Sequence, residues 1–336
     1  MKTKYGKPIE PKRFQANIIA DTKGWAQRMK ERAEEYGIRA EEYVSACPVC
    51  KSKQYISLVT VYGFDYVQCK KCAHVFSTKR LSQEQLNTFY RDSAEYAKQY
   101  TSEDQLAYRM RHISGPKIKY AMSFVPKVKK GTWLDVGSAV GDVLRCVESY
   151  RGWKAIGLEA SALSVKTGRE VLKVDVRQEL FQDFVRKNKN EKFDVISFFG
   201  YLELITDPLK ELRLAQGLLK KNGVLVIGEA NGNSFSTLLQ KSFPEYSMRH
   251  LLPPPVIQQF TKQSACVALQ KAGFTPSAFW NFGMDFYEFT KYLVLLIPRF
   301  QETSVYSFLM DHTNEFQSVI DQEEYGDCFM MIAKRS

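Results

Sequence analysis

The 336-residue sequence predicts an α/β fold, a mainly parallel sheet with helices on both faces, preceded by a small cysteine-rich module. Three observations predict it. Apolar strand patterns near 132–136, 154–158, 171–176, 193–198 and 223–229 alternate with helical stretches, and that alternation builds parallel βαβ units. The first strand runs into the small-residue turn Gly137-Ser138-Ala139-Val140-Gly141, and Val143, Leu144 and Val147 then recur at helical spacing. Upstream stand Cys47-Pro48-Val49-Cys50 and Cys69-Lys70-Lys71-Cys72, eighteen residues apart.

A chain of this length can bury a sizeable core and hold two domains. No stretch approaches the length of a membrane span, because Tyr292 to Ile297 stops at Pro298. The basic start, Met1 to Lys7, has no apolar run behind it, so no signal peptide is expected and a cytoplasmic protein is. Residues 1–130 carry 25 Lys/Arg against 13 Asp/Glu, a net +12, while the remainder carries 23 against 24. All the excess charge is N-terminal. It suits an anionic partner and equally suits a plain solvated surface.

Residues 1–44 read as a loose basic arm, to about residue 20, then an amphipathic helix over Asp21 to Tyr43. Trp25, Met29, Ala33, Tyr36 and Ile38 form its apolar stripe, and Asp21 or Thr22 caps its start. Residues 45–80 read as a zinc ribbon. Two Cys-x-x-Cys turns at this separation present four thiolates tetrahedrally, which is what structural Zn²⁺ requires, so Cys47, Cys50, Cys69 and Cys72 are its ligands. Tyr55–Val59, Tyr66–Gln68 and Val75–Ser77 are the accompanying strands, and the flanking lysines offset the negative cluster. His74 is surplus to the site and reads as a surface or packing residue. Residues 81–130 form a helical linker: Ser82 to Arg91, a tyrosine-rich stretch with Tyr96 and Tyr100, a helix near 103–113 broken at Gly115-Pro116, then Lys117 to Val125.

In residues 131–336, strand, glycine turn and helix together bring backbone N–H groups to a ligand. The second strand ends in Glu159, and parallel pairing sets its carboxylate beside the turn, where it can accept from a ribose diol. Ligands of such sheets bind beyond the strand carboxyl ends, which gathers Gly137, Glu159, Gln178 and Phe199-Gly200-Tyr201. Phe274 to Phe282 and Cys328 to Ala333 read as final strands. Two insertions exceed what the sheet needs, near 230–260 and 284–322.

On these residues the chain resembles the class I S-adenosylmethionine-dependent methyltransferases, with further matches at Phe193 to Ile196, Asp207-Pro208 and Lys221 to Ile227. The resemblance implies a Rossmann-like domain with a seven-stranded sheet and S-adenosylmethionine as cofactor. By it Asp135 orients the turn and the methionine amino group, Glu159 holds the ribose, and Gln178 lies near adenine. Phe199 and Gly200 wall the methionyl end; Gly137, Ser138, Gly141 and Ala160 complete the cofactor set. Two departures stand out: Ala139 replaces the middle glycine, and Leu202-Glu203-Leu204 stands where many relatives have Leu-Glu-His. Arg249 to Ser264 is similar to a segment of sugar- and polysaccharide-related methyltransferases, in which insertions cover the acceptor.

Hydroxyl and carbon acceptors both need a base. His250 is the first candidate, though a lone histidine is more often structural; Glu203 is the second, and Tyr201 is placed at the acceptor. The leading reading is O- or C-methylation of a small molecule, a sugar or nucleotide-linked sugar. The alternatives are an RNA methyltransferase using the basic zinc module, and a non-catalytic binding protein with a retired cofactor site. No compact arginine cluster interleaved with aromatics supports RNA.

Overall fold

The computed structural model describes residues 1–10, 22–92, 102–246 and 249–336. The expected cap at Asp21 or Thr22, the side chain of Trp25, Tyr96, Tyr100 and residues 11–20 of the arm lie outside what is described. In chain order the strands are β1 (Lys2–Tyr5), β2 (Glu42–Tyr43), β3 (Tyr55–Val61), β4 (Phe64–Cys69), β5 (Val75–Ser77) and β6 (Lys79–Arg80). Then come β7 (Gly131–Val136), β8 (Trp153–Glu159), β9 (Val176–Gln178), β10 (Phe193–Phe199), β11 (Leu219–Ala230), β12 (Gln258–Gln259), β13 (Phe274–Phe282) and β14 (Cys328–Arg335).

The main sheet has the order β1-β13-β14-β11-β10-β7-β8-β9 and is parallel except at β14, which runs antiparallel to β11 and β13. Its central strands are buried on both sides, so successive residues serve opposite faces. Leu134, Ile196 and Leu225 pack with Phe184, Leu212 and Ala268 on one face. Trp133, Val195 and Val224 pack with Ile118, Leu144 and Val147 on the other.

Four expectations need correction. The sheet has eight strands where seven were expected, because residues 2–5 of the supposed loose arm pair in parallel with β13. Lys4 lies 3.5 Å from the centre of the Trp280 ring, and the indole N–H donates to the Gly6 carbonyl at 2.9 Å. Charged edge residues also discourage further pairing. The third strand starts only at Val176, because the helix Ala162–Thr167 continues as a π-turn over Gly168–Leu172. Gly115-Pro116 does not break its helix. A π-turn over Met110–Ser114 widens the backbone ahead of Pro116, and helix resumes over Gly115–Met122. The helix Thr22–Arg39 buries Ala26, Met29 and Ala33, but Ile38 is 87% exposed and lies off the stripe.

The cysteine module is built into the rest of the chain. The sheet β12-β5-β4-β3 takes its outer strand from the first insertion. Cys47, Val49, Val67, Cys72 and Phe76 share one core with Phe260, Ala265 and Leu269. His74 is a packing residue and fully buried, contacting Ser264 Oγ through Nδ1 (3.3 Å) and Gln258 Oε1 through Nε2 (3.0 Å). The second insertion supplies the helices Asp285–Leu296, Ser304–Asp311 and Thr313–Gln322. Among the described residues no helix is long and apolar enough to cross a membrane.

Candidate functional site

The carboxyl ends of β7, β8, β10 and β11 meet along one edge of the sheet. Gly137, Gly141 and Gly200 all take positive φ there, the region glycine tolerates. A Cβ on Gly137 would come within 2.9 Å of the Tyr201 ring. One on Gly141 would meet Val174 and Val176 at 2.7 and 2.9 Å. Gly141 therefore allows the chain around the third strand to pack closely on the helix start.

Glu159 lies where parallel pairing put it. Its Oε2 accepts from the Ala139 N–H at 2.9 Å and its Oε1 from the Ser161 N–H at 2.8 Å. Burial raises its pKa, and those N–H groups oppose the shift. Each oxygen keeps a lone pair, so both can still accept from a diol. Gln178 donates to the Ala160 carbonyl at 3.3 Å, which brings these two beside Glu159. Glu159→Ala is expected to weaken binding of S-adenosylhomocysteine by roughly 1.5–3 kcal/mol, the scale of hydrogen bonds to a charged group, as titration calorimetry would read.

Most other expected ligands meet the protein itself, while the Ser138 hydroxyl is buried without a hydrogen-bond partner. The N–H groups of Gly137 and Ser138 both donate to the Leu158 carbonyl, at 2.9 and 3.0 Å. The Ser138 hydroxyl is buried over Gly157, where an added Cβ would lie 2.4 Å from it. Asp135 accepts from the Ser197 hydroxyl at 2.5 Å, and burial pushes its carboxyl up to about 8. It is fixed within the sheet, and Leu158 rather than Asp135 holds the turn. Tyr201 lies against Gly137. Its ring stacks on Phe198 and its hydroxyl donates to Glu211 Oε2 at 3.3 Å.

His250 does not fit a general base. Its Nε2 contacts the Ser234 and Thr237 hydroxyls at 3.1 and 2.9 Å, at the start of the helix Phe235–Ser242. Burial, then Arg249, lowers its pKa to about 3, too weak a base for neutral pH. His250→Ala is expected to lower the thermal midpoint, since each lost buried hydrogen bond costs about 1 kcal/mol, and to leave turnover per folded molecule unchanged. A turnover loss without a stability loss would reverse this assignment.

Glu203 fits better. It sits on the 3-10 turn Leu202–Leu204 that follows β10, 3.7 Å from where a Gly200 Cβ would be. Burial raises its carboxyl to about 7, with the Ala230 backbone opposing. Beside it Glu229, at the end of β11, accepts from the Leu202 N–H at 3.2 Å. Burial first, and Glu203 second, hold Glu229 well above the carboxylate range. Each carboxyl keeps one buried oxygen with no hydrogen-bond partner. Burial thus holds Glu229 protonated and brings Glu203 near neutrality, the range a general base needs. Glu229 was overlooked although it ends its strand as Glu159 ends β8. Arg249, paired with Asp327 and with Glu288 at 3.4 Å, closes this side.

The module behind β10 holds the turn. Gln258 Nε2 donates to the Leu202 and Ile205 carbonyls at 2.8 and 2.6 Å, while the same side chain bonds His74. Gln83 accepts from the Thr206 N–H and hydroxyl at 2.8 and 3.0 Å. In the module itself, the Cys47 and Cys72 sulfurs are 3.5 Å apart, those of Cys50 and Cys69 3.4 Å, and all four lie within 4.8 Å of one another. These separations exclude disulfides and fit four thiolates around one ion, since Zn–S bonds of about 2.3 Å set sulfurs about 3.8 Å apart.

Residues 105–277 match the family model described as a methyltransferase domain. The ubiquinone biosynthesis O-methyltransferase of Actinobacillus pleuropneumoniae serotype 5b (strain L20) is 30% identical over 137 residues, 38% of this chain and 57% of that protein. That of Histophilus somni (strain 2336) is 29% identical over 150 residues, 42% and 63% of the two chains. The chain thus spans less than two thirds of the length of these curated relatives. The cyclopropane synthase MmaA2 from Mycobacterium tuberculosis matches with a TM-score of 0.50 at 16% identity, covering 76% of this chain and 99% of that one, a likeness of fold alone.

Proposed function

The chain belongs to the class I S-adenosylmethionine-dependent methyltransferases, and from that premise we propose that it methylates an oxygen or an acidic carbon of a small polar acceptor, with Glu203 as the base. The observation that carries the reading is the Glu203–Glu229 pair at the carboxyl ends of β10 and β11, one oxygen of each without a hydrogen-bond partner. S-adenosylmethionine supplies a methyl group already activated on a sulfonium, so alignment provides much of the rate. Glu159 with Ala160 and Gln178 would hold the ribose and adenine side, and Phe199 and Gly200 the methionyl end. The unpartnered oxygen of Glu203 would take the acceptor proton as the new bond forms, with burial keeping its affinity for that proton near neutral pH.

We read the acceptor as a sugar or nucleotide-linked sugar. Two carboxyl groups at one end of the site accept from neighbouring hydroxyls, and the likeness of Arg249 to Ser264 to the sugar-related segment points the same way. The four cysteines would hold one structural Zn²⁺. The reading is tested by incubating the protein with methyl-labelled S-adenosylmethionine and fractionated cell extract, then identifying the labelled product by mass spectrometry. Label in the sugar-nucleotide or saccharide fraction is the expected result. Label confined to RNA, with binding that weakens steeply as salt rises, would overturn it.

A further inference from the structure

Two lysines converge on the carboxyl-end edge of the sheet without a carboxylate to receive them. Lys117 leaves the helix Gly115–Met122 and places its ammonium 5.2 Å from the centre of the Phe199 ring and 5.7 Å from that of Phe282. Asp142 and Asp135 act on it only through space, with no ion pair or hydrogen bond to either. Lys7, just past β1, lies 5.6 Å from the same Phe282 ring and reaches the His112 carbonyl at 3.5 Å. The nearby acids are engaged elsewhere: Asp142 by Ser114 and Arg109, Asp321 by Gln317. Ring faces return far less to a cation than a buried charge loses in leaving water. The pair is thus under-compensated, and burial, then Lys117, brings Lys7 down to about 8.

The position narrows the purpose. Phe282 ends β13 opposite Cys328 of β14 and Lys7 follows β1, while Lys117 reaches over Phe199 at the end of β10, the strand whose following turn carries Glu203. The cluster adjoins the acceptor half. We propose that Lys7 and Lys117, flanking Phe282, form an anion subsite that takes a carboxylate or phosphate group of the acceptor. The proposal rests on the methyltransferase reading above and adds a charge to its acceptor. A phosphate-bearing sugar satisfies both.

The test uses the full chain saturated with S-adenosylhomocysteine and inorganic phosphate as the probe, titrated by calorimetry. Phosphate should bind the native protein. Its dissociation constant should rise about tenfold in Lys7→Met and in Lys117→Met, the loss of one charge-assisted contact, and less in the arginine variants. Affinity for S-adenosylhomocysteine should stay within about twofold, since neither lysine is assigned to the donor. If Lys117→Met does not fold, Lys7→Met and Lys117→Arg carry the comparison. Absence of phosphate binding, or equal binding in native and methionine variants, overturns the subsite. So does a loss of S-adenosylhomocysteine affinity in Lys117→Met with 5′-methylthioadenosine unaffected, which would give the cation to the donor's own carboxylate. Failure of the native protein to bind S-adenosylhomocysteine would instead sink the methyltransferase reading.

Discussion

Glu203→Gln is expected to lower turnover by about 10²–10⁴-fold, the usual contribution of a positioned base, with no change in S-adenosylhomocysteine affinity. Glutamine keeps the volume and the polar contacts of the side chain but cannot accept the proton. The pH profile supplies the second readout. The native carboxyl, raised to about 7 by burial, is active only when ionised, so turnover should fall as pH drops below that value. That limb should vanish in Glu203→Gln. Glu229 is held protonated by burial, so Glu229→Gln removes no charge and should leave the limb in place with a smaller loss of rate. A Glu203→Gln protein with native turnover and an unchanged limb would place the base elsewhere.

Cys69→Ser should cost more than about 4 kcal/mol of stability, the range of a lost metal site, and should also abolish turnover. The sulfurs touch no part of the donor or acceptor site, so the second effect must be transmitted. The route is short. Cys72 leads to His74, His74 bonds Gln258, and Gln258 holds the Leu202 and Ile205 carbonyls on either side of Glu203. Metal analysis of protein purified without chelators should give one zinc per chain. A chelator-treated protein that is metal-free, equally stable and equally active would refute both the site and its link to the turn.

The strands and the four-cysteine cluster were legible because each is a local pattern. Cys-x-x-Cys pairs are defined by spacing, and β7, β10 and β13 are apolar runs whose limits the structure moves by a residue or two at most. Glu159 was legible because a strand end and a parallel neighbour fix it. What escaped depends on partners far away in the chain. His250 and Tyr201 have suitable chemistry, but Ser234, Thr237 and Glu211 occupy them, and no periodicity encodes that. Lys117 looked like one basic residue among many until Phe199 and Phe282 closed on it. The π-turns at Met110–Ser114 and Gly168–Leu172 were missed because a single added residue leaves helical spacing nearly intact.

The pairing of Lys2 with Ala278 joins two segments more than 270 residues apart in the chain. During synthesis, β1 leaves the ribosome with no strand to join, and its partner follows more than 270 residues later, about 15–50 s at ordinary elongation rates. The nascent chain can assemble β7 to β11 in that interval, but Lys7 cannot reach Phe282 until β13 has emerged. Closing so long a loop is slow relative to local helix formation. Completion of the edge that carries Lys7 is thereby deferred until after β13, so a ribosome-stalled fragment ending before it would fold its centre and lack that edge.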